Sequence, residues 1–240
     1  MRKEIMTVVA CAMMLAMAPL LQTADAEGWS FQAIPYLWTA GLTGRIGPDE
    51  IAPTVDLDFD DILEVTEVGF VGSFEADYNG EWFFIAEGMY LELEESGPTP
   101  AGAKATLNFD YGLISFVGGR SVTDGIDVYV GGRYIDVGAD ISVSGGPGTD
   151  KSESWADPIV GFRATGTIND RTTVKLAMDV GGFGVNSDIT YALATNVEYE
   201  FNDTLSGIFG YRILDVEYEK SGFVYDAKQD GLLLGLGISF

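Results

Sequence analysis

The sequence contains no histidine, and the single cysteine among its 240 residues, Cys11, lies in the N-terminal segment. The chain therefore lacks the side chain that most often acts as a general base near neutral pH. Beyond residue 11 it can form neither a disulfide framework nor a cysteine-based metal site. Basic residues are scarce too, with 13 Lys and Arg against 37 Asp and Glu and a net charge of −24. That charge argues against a nucleic-acid partner, whose phosphates require a basic surface.

The N-terminal segment has the features of a cleaved export signal. Arg2-Lys3 precedes an apolar stretch from Met6 to Leu21, and Ala24-Asp25-Ala26 supplies the small-x-small pattern that signal peptidase reads. We therefore predict a signal peptide over residues 1–26, cleaved to leave a single domain over residues 27–240.

Long apolar runs are missing from the predicted mature domain, although 47% of the chain is hydrophobic. No segment there reaches the ~18 consecutive apolar residues of a membrane helix. Apolar and polar residues alternate instead, as between 65 and 78, where Val68, Phe70 and Phe74 share one face and Ser73 and Glu75 the other. Period two predicts β-strands, and strands of this kind can cross a membrane with only every second residue facing lipid. The fold class is therefore all-β, a single closed antiparallel transmembrane β-barrel.

Short turns containing Asn or Asp separate the strands and alternate with mostly longer polar connections. Asn79-Gly80, Asp124-Gly125, Asn169-Asp170 and Asn202-Asp203 all tolerate the positive φ of tight hairpins. This rhythm is typical of outer-membrane barrels, whose periplasmic turns are short and whose extracellular loops are longer. Counting gives about ten strands with both termini in the periplasm, and the pattern also allows about 8 or 12. The predicted strands are 29–46, 65–77, 82–95, 104–121, 126–142, 155–167, 172–184, 189–201, 204–218 and 230–240.

The chain ends in an alternating strand whose final residue is aromatic: Leu232, Leu234, Leu236, Ile238 and Phe240 are separated by smaller or polar residues. This ending resembles the C-terminal signature by which the barrel-assembly machinery recognises outer-membrane proteins. We predict that Phe240 is the assembly signal and that the machinery is a partner through this strand. The predicted address is the bacterial outer membrane, with its lipid and lipopolysaccharide as surroundings.

Three segments resemble a family of poorly characterised Gram-negative outer-membrane β-barrel proteins. They are Ile34–Gly44 (IPYLWTAGLTG), Val55–Leu63 (VDLDFDDIL) and Ala86–Leu93 (AEGMYLEL). The resemblance implies a barrel and an outer-membrane address. It implies no established activity, cofactor or catalytic residue.

Charged residues of both signs fall on the polar face of the predicted strands. We predict that they form a charge network in the lumen, built from Glu67, Glu75, Asp77, Glu87, Asp110, Arg120, Arg133, Arg163, Lys175, Asp179 and Arg212. The same face also carries Asp127, Asp157, Glu198 and Glu200. Because a barrel of about ten strands has room mainly for side chains, we expect these groups to pair and fill it.

Aromatic residues near the predicted strand ends are expected at the membrane borders, where amphipathic rings favour the headgroup zone. They are Trp29, Tyr36, Trp38, Trp82, Phe84, Tyr90, Tyr111, Tyr129, Tyr134, Tyr199, Tyr211 and Tyr218.

The first long loop offers weak candidates for a metal site. Asp56, Asp58 and Asp60, followed by Glu67, match the acidic spacing of a calcium loop, but Asp61 stands where that motif needs glycine. We therefore predict no bound cofactor and no cation cage of EF-hand type. Loose binding of divalent cations at the cell surface is the alternative, because the phosphates of lipopolysaccharide also recruit such cations.

These features favour a non-enzymatic outer-membrane barrel with a structural or surface-interaction role, a charge-filled lumen and acidic extracellular loops. The alternative is a narrow, weakly cation-preferring channel for small solutes or ions, since rings of carboxylates attract cations. A surface hydrolase is disfavoured by the missing histidine, and no spacing singles out a carboxylate or Ser–Lys mechanism. A soluble periplasmic barrel is disfavoured by the apolar faces that point outward.

Overall fold

A computed structural model describes residues 28–49, 52, 54–98, 104–145 and 149–240. The predicted signal peptide lies outside these residues. Within them, no helix is both long and apolar enough to cross a bilayer.

The described residues form eleven strands and one short helix. In chain order they are β1 (Trp29–Pro48), β2 (Thr54–Leu57), α1 (Phe59–Val65), β3 (Thr66–Tyr78), β4 (Trp82–Pro98), β5 (Lys104–Thr123), β6 (Ile126–Val143), β7 (Thr149–Asn169), β8 (Thr172–Gly181), β9 (Ile189–Glu200), β10 (Leu205–Lys220) and β11 (Phe223–Ser239).

Ten of the strands close into an antiparallel barrel, which confirms the predicted fold class. From β3 to β11 each strand pairs with the next, and β1 closes the ring. One edge of β1 pairs with β3, beginning at Trp29 opposite Tyr78, and the other pairs with β11, beginning at Gln32 opposite Ser239. The short β2 adds to β1 at the rim. Closure pairs most of the backbone groups that an open sheet edge would otherwise expose to lipid, although β1 and β3 pair only from Trp29 to Pro35.

The two ends of the barrel differ in their connections. The terminal end carries the start of β1, the C-terminal residue Phe240 and the short turns 79–81, 124–125, 170–171 and 201–204, with positive φ at Asn79, Gly80 and Gly125. The loop end carries the longer connections. One of these is shorter than predicted: Glu219–Gln229 is not a loop, because β10 and β11 continue to a tight turn at Ser221-Gly222.

The outer face carries an apolar band between two aromatic girdles. The terminal-end girdle is Trp29, Tyr78, Trp82, Tyr199 and Phe201, and the loop-end girdle is Tyr90, Tyr134, Tyr191 and Tyr211. Trp82 to Tyr90 and Tyr199 to Tyr191 are both steps of eight residues, which is ~27 Å along a strand. A strand tilt of about 40° reduces this to roughly 20 Å of barrel height, which is close to the apolar band of about 25 Å that such barrels carry. The girdles therefore mark the borders of the membrane.

The lumen towards the loop end is filled by an apolar plug, which we define by its buried side chains. They are Trp38, Leu42, Ile46, Leu93, Tyr111, Leu113, Ile135, Val137, Trp155, Leu214, Val216, Tyr218, Phe223 and Tyr225. The rings of Trp155 and Tyr218 stack with centroids 4.0 Å apart. Five rings predicted at the membrane borders therefore lie inside instead: Tyr36, Trp38, Tyr111, Tyr129 and Tyr218.

Helix α1 contributes to the plug through Ile62, which is buried against it. Asp58 begins the helix in a capping box: its side chain accepts from the backbone of Asp61, and Asp61 Oδ2 accepts from the Asp58 N–H at 3.1 Å. The Thr66 hydroxyl donates to the Ile62 carbonyl at 2.6 Å and closes the other end. Phe59 therefore lies in the first turn of a helix.

Candidate functional site

At the level of the membrane, the lumen contains four clusters of charged side chains. The first centres on Arg163, which forms ion pairs with Glu75 and, at 2.8 Å, with Asp127. The Ser121 hydroxyl also donates to Asp127 at 2.6 Å. The Arg163 guanidinium lies 4.0 Å from the centroid of the Phe83 ring, so its remaining surface is covered by an aromatic face.

The second cluster joins β6 to β8. Arg133 Nη2 donates to both carboxylate oxygens of Asp179, at 2.9 and 3.1 Å, and Nη1 donates to the Thr190 hydroxyl at 3.2 Å. The Tyr129 hydroxyl donates to Asp179 at 3.4 Å. Arg133 is 3% exposed, and a charge buried to that degree requires such a partner.

The third cluster crosses the barrel from β10 to β4 and β1. Arg212 donates to Glu87 at 2.7 Å and to the Tyr36 hydroxyl at 2.5 Å. Its guanidinium carbon lies 4.8 Å from the centroid of the Trp38 ring. Arg212 therefore marks the boundary between the charged layer and the apolar plug.

The fourth cluster lies towards the terminal end. Lys175 forms an ion pair with Glu198 at 2.9 Å. Glu198 also accepts hydrogen bonds from Gln32 at 2.7 Å and from Ser206 at 2.6 Å. This carboxylate thereby connects strands β1, β8, β9 and β10.

Together the clusters leave little free space. A residual cavity of about 200 Å³ remains among them, lined by Glu75, Glu87, Arg133, Arg163, Lys175 and Arg212 among others. Each basic group of the clusters has a carboxylate partner within 3.1 Å. The apolar plug then covers this layer towards the loop end.

Comparison with known proteins supports the fold by structure and not by sequence. No family model matches the chain, and no curated protein matches it. The translocator domain of the autotransporter NalP from Neisseria meningitidis is similar in structure, with a TM-score of 0.51 at 12% identity, covering 100% of this chain and 98% of that one.

Two further outer-membrane proteins match with lower scores. The protease OmpT of Escherichia coli has a TM-score of 0.48 at 11% identity, over 91% of this chain and 98% of its own. Ail of Yersinia pestis has a TM-score of 0.45 at 13% identity, over 89% and 99%. At such identities the likeness shows the fold alone. The chain has the closed antiparallel β-barrel fold that the outer-membrane translocator domain of NalP also has.

Seven of the predicted network residues lie in the lumen of this barrel: Glu75, Glu87, Arg133, Arg163, Lys175, Asp179 and Arg212. Asp127 and Glu198 join them, as their place on the polar faces suggested. Neutral partners such as Tyr36, Tyr129 and Gln32 were not foreseen, because an alternating pattern does not show which polar groups meet across a lumen.

Two predicted network residues lie on the outer face instead. Asp110 accepts a hydrogen bond from the girdle residue Tyr90 at 3.2 Å, and Arg120 stacks on the outward Trp82 ring at 5.3 Å. The prediction failed on β5 because its apolar residues Tyr111 and Leu113 face the plug and not the lipid. Once the interior is apolar, polarity no longer identifies the lumen side of a strand.

The remaining predicted residues do not join a cluster. Asp77 accepts from the Gly80 N–H at 2.7 Å and so stabilises a turn, while the side chain of Glu67 lies outside the described residues. Asp157, by contrast, is fully buried and accepts from the Ser187 N–H at 2.9 Å and from its hydroxyl at 2.5 Å. It fixes the connection between β8 and β9.

The acidic first loop does not assemble a cage for a cation. Asp58 caps α1, Asp56 accepts from the Thr43 hydroxyl at 3.4 Å, and Asp60 is exposed in the first turn of the helix. Nowhere in the described ranges do three or more acidic, His or Cys side chains converge as metal ligands would.

Proposed function

We propose that the protein is a non-enzymatic, non-conducting outer-membrane barrel whose role is structural and whose working surface is its acidic loop end. The observation that carries this proposal is the double closure of the lumen. A layer of paired charges occupies the membrane level, and the apolar plug lies beyond it. Water and ions would have to break ion pairs and then wet an aromatic core.

The loop end supplies the surface for interaction. Its exposed carboxylates are Asp49, Asp56, Asp58, Asp60, Asp61, Glu64, Glu94, Asp150, Asp188, Glu217, Glu219 and Asp226. Such a surface attracts basic partners, and it attracts divalent cations that also bridge lipopolysaccharide phosphates. The segments Ile34–Gly44 and Val55–Leu63 resemble a family of outer-membrane barrels, which fits this proposal. The resemblance implies no enzymatic activity.

A planar-bilayer recording of the purified protein tests the proposal. We expect no conductance steps from the wild type. We expect current from a Trp155→Ala/Tyr218→Ala/Arg212→Ala variant, because the stacked pair closes the plug and Arg212, paired with Glu87, closes the charged layer next to it. Current from that variant also demonstrates insertion. A large, steady current through the wild type would contradict the proposal. A small cation-preferring current would favour the narrow channel, which the excess of lumen carboxylates over basic groups would explain.

A further inference from the structure

The barrel wall has an opening on one side. β1 and β3 pair from Trp29 opposite Tyr78 only as far as Pro35 opposite Gly72, and β2 joins β1 from Leu42 opposite Leu57 onward. Between these points, residues 36–41 pair with β11 alone and residues 66–71 pair with β4 alone. We call the gap between 36–41 and 66–71 the side opening.

The sequence explains where the two strands part. Pro35 has no N–H to donate to a neighbouring strand, so the pairing cannot be regular beyond it. The pairing of β1 with β11 also lapses at residues 34 and 35, between Ala33 opposite Ile238 and Tyr36 opposite Gly235, while the register stays the same.

An apolar cavity of about 310 Å³ lies behind the side opening. Its lining continues from the outer surface to the interior of the plug, and it includes Leu37, Phe70, Met89, Leu91 and Trp38. Helix α1 contributes Ile62 and so covers the cavity towards the loop end.

The side opening lies at the border of the membrane. On one edge, Phe70 is directly opposite the girdle residue Tyr90. On the other edge, Thr39 is opposite Leu232, which in turn is opposite the girdle residue Tyr211. Because the loop end of outer-membrane barrels faces the exterior, the opening adjoins the outer leaflet. An apolar molecule can therefore reach the cavity from lipid without crossing water.

Two residues that line the cavity, Trp38 and Gln229, each carry a buried polar atom that lacks a partner among the described residues. Trp38 Nε1 and Gln229 Oε1 make no hydrogen bond, although the two residues are only 7% and 9% exposed. The other end of the Gln229 amide donates to the Tyr225 hydroxyl at 3.4 Å. An N–H donor and a carbonyl acceptor left unsatisfied in the wall of an apolar cavity are matched by a ligand that carries its own hydrogen-bonding group.

The charges around the cavity indicate which hydrogen-bonding group the ligand carries. No Lys or Arg is among the described residues that line the cavity, and Arg212, which stacks on the Trp38 ring, is already held by Glu87 and Tyr36. A carboxylate ligand would therefore find no free positive charge. A hydroxyl, in contrast, can accept from an indole N–H or donate to an amide oxygen. A dry cavity of about 150 Å³ holds benzene, so this one suits on the order of ten carbon atoms.

We propose that this cavity binds a small uncharged amphiphile, an alkyl or aryl body of about ten carbons with one hydroxyl, which enters from the outer leaflet through the side opening. The proposal is independent of whether the lumen conducts, because the ligand path leaves through the wall and not along the barrel axis.

Quenching of Trp38 fluorescence by bromine-labelled decanol tests the proposal on the full chain in lipid nanodiscs. Trp29→Phe, Trp82→Phe and Trp155→Phe leave Trp38 as the single tryptophan. We expect quenching that saturates with probe content and is reversed by unlabelled decanol. Decanoate and decane should compete at least tenfold less well, since one carries a charge and the other has no hydroxyl.

Two matched glycine variants test whether the probe binds behind the side opening. A Cβ added at Gly69 meets Leu91 and Thr66 at 3.5 and 3.6 Å, which is ordinary contact, so Gly69→Leu fills the opening without backbone strain. Gly166 has open space around it, and Gly166→Leu is the control. Gly69→Leu should abolish saturation and Gly166→Leu should preserve it, with a heat-dependent gel shift checking that both are folded.

A third variant tests whether the ligand hydroxyl is recognised by a hydrogen bond. Gln229→Leu removes the unpartnered amide oxygen, and it should weaken competition by decanol while leaving competition by decane unchanged. Quenching that rises in proportion to probe content and ignores competitors would mean membrane partition only, and it would overturn the proposal. Equal competition by decane and decanol would overturn the proposed hydrogen bond between the ligand and the cavity. If Gly69→Leu does not fold, the competition experiments on the single-tryptophan protein test the proposal without it.

Discussion

At the scale of single residues, a buried charge in this barrel is held by partners from several strands. Arg163 on β7 reaches Glu75 on β3 and Asp127 on β6, so it connects strands that are distant in sequence. The sequence predicted most of these residues, because their strands alternate between lipid-facing apolar and inward polar positions. It failed for Asp110 and Arg120, whose strand packs apolar residues inward.

Replacing Arg163 with alanine should destabilise the barrel by about 3–5 kcal/mol, because two largely buried carboxylates would lose their cation. Arg120→Ala is the matched control, since that side chain lies on the outer face and forms no ion pair among the described residues. Urea unfolding in lipid vesicles measures both changes. Equal losses for the two variants would refute the assignment of Arg163 to a paired interior cluster.

At the scale of elements, the sequence predicted which segments form strands but not where each strand ends. The polar residues between 219 and 229 suggested a loop, but β10 and β11 extend beyond the loop-end girdle, where outward positions face water. Asp226 is exposed there while Tyr225 and Ala227 remain buried. Helix α1 was missed, although Asp58 followed by Asp61 is a pattern that a capping box can produce.

Removing the helix cap should loosen α1 without unfolding the barrel. Asp58→Ala loses the capping interaction, worth about 1 kcal/mol, and should speed hydrogen exchange at residues 61 and 62. Asp60→Ala should leave that exchange nearly unchanged, since its side chain does not cap the helix. If added calcium slowed exchange in the wild type and in neither variant, a metal site and not a cap would organise this loop.

Deleting Phe240 should reduce assembly in cells more than it reduces the stability of the refolded barrel. Phe240 exchanges two backbone hydrogen bonds with Phe31, at 3.0 and 3.1 Å, and their rings stack with centroids 5.9 Å apart. Loss of these contacts costs about 1–2 kcal/mol, which a closed barrel tolerates. Outer-membrane levels in cells and urea midpoints of refolded protein separate the two effects. Normal membrane levels of the truncated protein would count against an assembly role.

At the scale of the whole molecule, the barrel has two regions along its axis, and they differ in the polarity of the outer face and of the interior. Between the girdles its outer face is apolar and its interior is charged, whereas beyond the loop-end girdle its outer face carries carboxylates and its interior is aromatic. The sequence predicted the first arrangement from alternation. The reversed arrangement beyond the loop-end girdle was not predictable, because alternation alone does not show which face of a strand is exposed to water.

The most direct test of the closed lumen uses the fact that the predicted mature chain has no cysteine. Ser115 lies in the lumen and is 9% exposed, while Asp226 is exposed near the loop end. In nanodiscs, a water-soluble maleimide should label Asp226→Cys within minutes and leave Ser115→Cys unlabelled until the barrel is unfolded. Labelling of Ser115→Cys at a rate comparable to Asp226→Cys would contradict a lumen sealed by paired charges and an apolar plug.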